Sequence, residues 1–449
     1  VTAWLRGNQW LVQNGFLPRA HAVLADPPYG LAFMGQHWDT MTPVQYQAWV
    51  TEWAALLLDF VYPGAVLAVF GGTRTYHRLA AGLEDAGWDV FDSMVWLYGS
   101  GFPKSHDVSK ALDREAGAER EAIRPHPNPA SSLGNGRTMD GGAAQSGVNL
   151  TAPATPDAAH WHGFGTALKP AYEPIVLARA PRGAHTYAAL AREYGTGALA
   201  IDAARIGITR GVPASHSRTH STIGIAASPF GRNPEELNPN IGRWPANVLL
   251  DDHAAAALDA QSGEPSVTSQ RVNQEDEFHG GVHEGYRRPN KSSYTHKLAG
   301  QVRQYESDGT QGASRFFYTA KAAAWERSAG LPERCKHPTM KPVQLTEYLA
   351  RLLLPPELDT PRRLLVPFSG SGSEMIGAAL AGWDTVMGIE REAEYAAIAQ
   401  ARLTWWAQFS SYEDARKAYQ AARKEARKEE QVESVSAQIP LFAEGEVAR

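Results

Sequence analysis

The sequence predicts an α/β fold around a largely parallel sheet, and three observations carry that reading. Short, wholly apolar runs end in turn residues, as in 21–26 (HAVLAD) and 65–70 (AVLAVF). Stretches with apolar residues at helical spacing separate these runs. The same alternation of strand and helix resumes near Pro342 after a long interval without it. Strands alternating with helices imply parallel pairing with crossover helices.

Taken in order, 21–26 reads as a buried strand leading into the turn Pro27-Pro28-Tyr29-Gly30. Over 43–62, Tyr46, Trp49, Val50, Trp53, Leu56, Leu57 and Phe60 mark an amphipathic helix, with Trp49 and Trp53 on its core face. The strand at 65–70 closes on Gly71-Gly72. A helix over 75–86 and a strand over 89–97 follow. The pattern then dissolves: 125–159, 209–240 and 265–312 are rich in Pro, Gly, Ser, Asn and Thr and read as long loops. Short ordered pieces interrupt them at 173–178, 198–206, 246–250 and 315–318. Regular structure returns as a helix over 343–354, a strand over 363–367, a helix over 373–381, a strand over 385–389 and a helix over 392–406. A charged, solvated helix over 412–430 precedes the apolar knot Gln438-Ile439-Pro440-Leu441-Phe442.

Composition narrows the function. A length of 449 residues is a prior of about three domains. With 43% hydrophobic and 20% charged residues the profile is that of a soluble globular protein. A net charge of −5 argues against holding nucleic acid by bulk charge and leaves a local basic groove open. Between 110 and 321, 17 of 22 Lys and Arg residues are Arg, which suits forked contacts to phosphate and guanine. GC-rich coding accounts for the same count equally well. The single Cys335 excludes a disulfide framework and a cysteine-rich zinc module. His160 and His162 lack cysteine or carboxylate partners, so no metal centre is expected. No run of 18 apolar residues predicts a membrane helix, and the N-terminal stretch lacks a signal-peptide layout.

Three motifs carry chemistry. In Asp26-Pro27-Pro28-Tyr29, a carboxylate and the following proline carbonyl can accept both hydrogens of an exocyclic amino group, drawing that nitrogen toward a tetrahedral nucleophile. The two prolines stiffen the backbone, and Tyr29 offers a stacking face worth roughly 1–3 kcal/mol to an extruded base. A rigid turn after a strand is the competing reading. The run Phe368-Ser369-Gly370-Ser371-Gly372 joins a strand to a helix, and Glu390 closes the next strand, an arrangement that suits an adenosine cofactor whose ribose meets the acid. Met375 stands where a dinucleotide fingerprint has its third glycine, which disfavours an NAD enzyme. The alternative is an ordinary glycine turn. In His337-Pro338-Thr339-Met340-Lys341-Pro342, a helix start places Thr339 and Lys341 to hold a cofactor carboxylate; a loop cap with a solvated lysine fits as well.

Together these residues resemble the amino-directed DNA methyltransferases, which transfer methyl from S-adenosylmethionine to adenine N6 or cytosine N4. The order of motifs is that of the circularly permuted class β. GFPKS at 101–105, GFGTALKP at 163–170, RWPAN at 243–247 and SRFFY at 314–318 are similar to stretches of phage and prophage members. The resemblance implies a Rossmann-like mixed sheet flanked by helices and no covalent base adduct. It implies a catalytic half at 1–110, a variable target-recognition region at 111–312, a cofactor half at 313–410 and a tail at 411–449. Asp26, Pro27, Pro28 and Tyr29 would be catalytic; Phe368, Ser369, Gly370, Ser371, Gly372, Glu390, Asn8, His337, Thr339 and Lys341 would bind cofactor. Double-stranded DNA would be the partner, in the cytoplasm of a bacterium or a phage-infected host. An aromatic such as Trp96 can border the flipped base in this family, or else pack in the core.

Departures are Val366 where members carry Asp, Gly7-Asn8 where they carry Gly-Asp, and Ser373-Glu374 where Thr follows the glycines. Asp at position 26 leans toward adenine N6 over cytosine N4. RNA or protein-amide methylation, and a non-catalytic DNA-binding relative, are the other classes. Cytosine C5 chemistry requires a thiolate nucleophile, and Cys335 lies in no Pro-Cys turn. Gln438, Leu441 and Phe442 resemble the short peptide that docks on the replication sliding clamp.

Overall fold

Strand β1 (Ala20–Ala25) is buried at all six positions. A strand apolar on both faces must be covered on both, which fits an interior strand between parallel neighbours. In the computed structural model, which describes residues 1–31, 39–99, 105–125, 149–206, 242–262, 313–320, 323–335 and 340–438, β1 occupies that place. The other strands are β2 (Val61–Phe70), β3 (Asp89–Leu97), β4 (Ala122–Pro125), β5 (Asn149–Thr151), β6 (Tyr172–Arg179), β7 (Val248–Asp251), β8 (Tyr318–Ala320), β9 (Arg363–Val366) and β10 (Thr385–Gly388). Eight form one sheet in the order β10-β9-β1-β2-β6-β3-β7-β8, and β4 pairs with β5 as a separate antiparallel ribbon. Pairing is parallel throughout the sheet except at β2–β6 and β6–β3, so β6 alone among the described sheet strands runs backwards.

Alternate residues of the central strands feed two core layers, as the two-residue period of a strand requires. Val23, Ala25, Leu67 and Val69 meet α1 (Thr2–Gln13), α2 (Pro43–Leu57) and α3 (Tyr76–Asp85) on one face. On the other, Ala22, Leu24, Val66, Ala68 and Phe70 meet helices from the C-terminal part of the chain. Each fully buried Leu or Val contributes about 1.5–3 kcal/mol. The remaining helices are α4 (Val108–Glu115), α5 (Pro156–His160), α6 (Tyr187–Tyr194), α7 (Asp252–Ser262), α8 (Val343–Leu353), α9 (Ser373–Ala381), α10 (Ala393–Trp406) and α11 (Tyr412–Gln438). No helix among the described residues is long and apolar enough to cross a membrane.

Several expectations need correction. The helix over 43–62 ends at Leu57, because a strand begins at Val61 and takes in Tyr62, Pro63 and Gly64. The β1–β2 register slips between Ala20 and Ala22, which absorbs that Pro-Gly irregularity. The ordered pieces near 173–178, 246–250 and 315–318 enter the main sheet as β6, β7 and β8, two of them from within 111–312. The stretch read as a loop over 125–159 contains β5 and most of α5. Thr155 caps α5 through Ala158 N–H, while Asp113 accepts from Ala154 N–H, Thr155 N–H and the Thr155 hydroxyl. The charged helix α11 is not solvated along its whole length. Tyr412 and Ala415 are buried, and Tyr412 and Tyr419 pack on Trp325; residues 421–428 are exposed.

Candidate active site

Parallel strands bring their carboxyl ends to one edge, and an open sheet binds ligands there, at the point where the chain departs in opposite directions from adjacent strands. Here β1 connects onward to β2 on one side, while its other neighbour is β9, more than 300 residues later. Asp26 follows β1, the Phe368–Gly372 turn follows β9, and Glu390 follows β10. Because β6 is reversed, its amino end, Tyr172-Glu173, reaches the same edge. Adjacent strands lie about 4.8 Å apart. The strand order therefore runs Glu390, the glycine turn, Asp26, then Glu173, with β2 between the last two.

The Asp26–Tyr29 turn is held from three sides. Asp39, itself buried, accepts from Gly30 N–H at 2.7 Å and Leu31 N–H at 3.1 Å. The Thr75 hydroxyl donates to the Tyr29 carbonyl at 2.7 Å. Gly30 has φ +67°, and a β-carbon there would come within 2.9 Å of the buried Tyr46 ring.

Four polar groups meet at this turn. Lys341 Nζ lies 2.8 Å from Asp26 Oδ2, 3.1 Å from Glu173 Oε2 and 3.1 Å from Tyr29 Oη. Tyr29 Oη lies 2.9 Å from Asp26 Oδ1 and 3.1 Å from Glu173 Oε2. Burial would push the Lys341 ammonium down, but Asp26 and Glu173 outweigh it and hold its pKa above the ordinary value. Burial, with Asp26 and Glu173, pushes the Tyr29 phenol well up, so it stays a protonated donor. The ammonium also lies 4.7 Å from the centre of the Phe70 ring.

The glycine turn is fixed by its own backbone and from beneath. Gly370 and Gly372 have φ of +48° and +82°. Glu390 accepts from Gly370 N–H at 2.8 Å with one oxygen, and from Arg391 and Glu392 N–H at 2.8 and 2.9 Å with the other. A carboxylate offers about four acceptor positions, so about one stays open. Arg402, fully buried on α10, donates from Nη1 to the Ser371 carbonyl at 2.6 Å and to the Ser371 and Ser373 hydroxyls at 3.1 and 3.2 Å. Phe368 packs against Trp49 and Trp53, with ring centres 5.6 and 5.4 Å away.

Both halves open into one cavity of about 500 Å³, within the range of small-molecule sites. Asp26, Tyr29, Glu173 and Lys341 line it together with Phe368, Gly370 and Glu390. Trp49, Ile389 and Tyr395 add apolar walls beside the glycine turn. That donor set, a fixed carboxylate beside flat apolar surfaces, suits an adenosine group. Glu374, in the first turn of α9, also lines the cavity and is buried. Burial first, then the charge of Asp26, pushes its carboxyl up to about 7.

The structure gathers most of the residues read from sequence and separates others. Asp26, Pro27, Pro28, Tyr29, Phe368, Ser369, Gly370, Ser371, Glu390 and Lys341 line the cavity. Gly372 lies just behind them, capping α9. Lys341 contacts the acid of the Asp-Pro-Pro-Tyr turn and is buried, not a solvated lysine. Asn8 does not line the cavity: it lies six residues along α1 from Thr2, roughly 9 Å by helical rise, and its amide donates to the Trp4 carbonyl. Val366 points into the core layer beside α8 and α9. Trp96 is core, and Tyr98, on the same side of the chain, lines the cavity. Trp49, expected in the core, is half-buried at the cavity wall. His337 and Thr339 lie outside the described residues, as do Leu441, Phe442 and the Gln438 side chain.

Sequence reading missed Glu173, Glu374, Arg402 and Asp39. Glu173, the second residue of β6, could have been suspected as the one acid ahead of the apolar run PIVLA. Glu374 and Arg402 depend on packing between segments distant in the chain, whereas Asp39 acts on Gly30 and Leu31, nine and eight residues away.

Residues 20–123, less than a quarter of the chain, match a family model described as DNA methylase (N6_N4_Mtase). That segment includes β1 and the Asp26–Tyr29 turn, and over it the resemblance to amino-directed DNA methyltransferases is borne out. A search of curated protein sequences finds no match. Among solved structures, the chain is similar to the M1.HpyAVI–SAM complex at 13% identity, covering 89% of this chain and 96% of that one, with a TM-score of 0.32. It is similar to the PvuII cytosine-N4-specific DNA methyltransferase at 11% identity, covering 92% and 89%, with a TM-score of 0.38. It is also similar to TTHA0409, a putative DNA modification methylase from Thermus thermophilus complexed with S-adenosyl-L-methionine, at 13% identity, covering 89% and 90%, with a TM-score of 0.33.

Proposed function

We propose that this protein is a DNA methyltransferase that uses S-adenosylmethionine to methylate the N6 amino group of adenine in double-stranded DNA. One observation carries the reading: the Asp26 carboxylate opens into the same cavity as the Phe368–Ser371 turn and the Glu390 carboxylate. The match of residues 20–123 to the DNA methylase family supports it.

The Glu390 carboxylate is the group for a ribose hydroxyl, and Trp49, Ile389 and Tyr395 are the apolar walls for the adenine ring of the cofactor. S-adenosylmethionine supplies an activated methyl group. On the other side, Asp26 accepts a hydrogen bond from the target amino group and Pro27 offers its carbonyl for the second hydrogen. Tyr29 and Tyr98 give flat surfaces to a base taken out of the duplex. Its hydroxyl, tied to Asp26 and Glu173, fixes the Tyr29 ring. Transfer leaves an extra proton on the amino group, and Asp26 is the nearest acceptor for it. In this reading residues 1–110 and 313–410, with β6 and β7, make up one catalytic unit in permuted order, and the rest of 111–312 recognises the target.

Mass spectrometry of nucleosides from DNA of expressing cells tests the substrate, and single-molecule sequencing gives the sequence context. The expected product is N6-methyladenine, abolished by Asp26→Ala. N4-methylcytosine alone would move the target to cytosine. Preference for RNA in a competition assay would overturn the DNA assignment, and no binding of S-adenosylmethionine at millimolar concentration would sink the enzyme reading.

A further inference from the structure

Both oxygens of Asp26 already carry a donor from the protein: the Tyr29 hydroxyl at 2.9 Å on Oδ1 and Lys341 Nζ at 2.8 Å on Oδ2. An amino group arriving at Asp26 has to compete with these two donors. Each has the same second acceptor, Glu173 Oε2, at 3.1 Å from Tyr29 Oη and 3.1 Å from Lys341 Nζ. The phenol has one proton and two carboxylates within reach. The ammonium is only 5% exposed, so it needs a partner when it leaves Asp26. Glu173 provides one without either donor crossing the site. Its backbone is held firmly, because Glu173 pairs with Trp96 in the sheet and β6 is flanked on both sides.

We infer that Glu173 is a positioning residue for Asp26, taking over whichever donor, the Tyr29 hydroxyl or the Lys341 ammonium, the target amino group displaces from an Asp26 oxygen. This rests on the function proposed above. Glu173 acts on the acceptor and touches neither the methyl donor nor the reacting nitrogen. Its effect therefore belongs in kcat and not in the affinity for cofactor.

The test is Glu173→Gln in the full-length protein, which keeps the side-chain length and one acceptor oxygen but removes the charge. The expected result is a loss of about 100-fold in kcat, the scale of a misplaced catalytic group. KM for S-adenosylmethionine should stay within about twofold, and the thermal unfolding midpoint should be that of the wild type. A kcat within about twofold of wild type, or a rise in cofactor KM that matches the loss, overturns the inference. A crystal structure of the Asp26→Ala protein decides independently of turnover. Tyr29 Oη and Lys341 Nζ both held within hydrogen-bond distance of Glu173 support the inference; both turned away from Glu173 overturn it. Failure of the wild type to methylate DNA would count against the proposed function, and the crystal structure would still test the role of Glu173.

Discussion

Asp26 and Lys341 are 315 positions apart in the chain, and the ammonium of one lies 2.8 Å from the carboxylate of the other. The pair is buried and is shared with Glu173. Removing the cation leaves two carboxylates facing each other, and breaking a buried pair costs about 3–5 kcal/mol. Lys341→Met should therefore lower stability by that order in urea unfolding. Adding Glu173→Gln should recover part of the loss, so a double-mutant cycle will show less than additive effects.

Glu326 gives the fold a pH dependence. It accepts from Val343 N–H at the start of α8 and from the Tyr412 hydroxyl on α11. Burial pushes its carboxyl from 4.5 up to about 7, against those hydrogen bonds. The folded form thus holds the proton more tightly than the unfolded chain. Its stabilising effect is complete below pH 4.5 and is lost as pH rises through about 7. The loss is about 3 kcal/mol. Glu326→Gln should match wild type in unfolding at pH 5 and exceed it by that order at pH 8.

Glu374 should make cofactor affinity depend on pH. Its carboxyl, raised to about 7, is neutral at pH 6 and ionised at pH 8, where it adds negative charge to the cavity wall. A sulfonium cation should then bind about tenfold more tightly at pH 8, a difference of about 1.4 kcal/mol. Calorimetric titration should show this trend in the wild type and not in Glu374→Gln. S-adenosylhomocysteine, which lacks the sulfonium charge, should show little of it.

Arg402 separates the order of the glycine turn from the stability of the whole. Its Nη1 makes three hydrogen bonds beneath Ser371 and Ser373, while among the described residues Nε and Nη2 find no acceptor. Replacing a poorly satisfied buried cation by an apolar side chain is often close to neutral for folding. Arg402→Met should weaken S-adenosylmethionine binding about tenfold while the unfolding free energy changes by less than about 2 kcal/mol.

The central strands and the glycine turn were legible because local pattern determines them: β1, β3, β9 and α9 depend on runs and periods of four to nine residues. The Asp26–Tyr29 turn was legible because proline and glycine leave little conformational choice. β7 and β8 gave only weak signals, since they stand as isolated pieces between long stretches without periodicity, whereas β9 is followed by a helix and a second strand; they become strands by pairing with β3 and with each other. The same holds for the polar cluster. Glu173, Glu374 and Arg402 acquire their roles from neighbours distant in the chain, and no local pattern marks a residue for that.

The flanking of β1 by β2 and β9 has a consequence for biosynthesis. Between Ala25 and Arg363 there are 338 positions of chain to be synthesised. At about 5–20 residues per second this takes roughly 17–70 s. Throughout that interval one hydrogen-bonding side of β1, an apolar strand, has no partner on the ribosome-bound chain. Such an edge is open to pairing with other nascent chains. Expression yield should thus respond to translation speed and to chaperone supply more than the stability of the finished sheet would suggest.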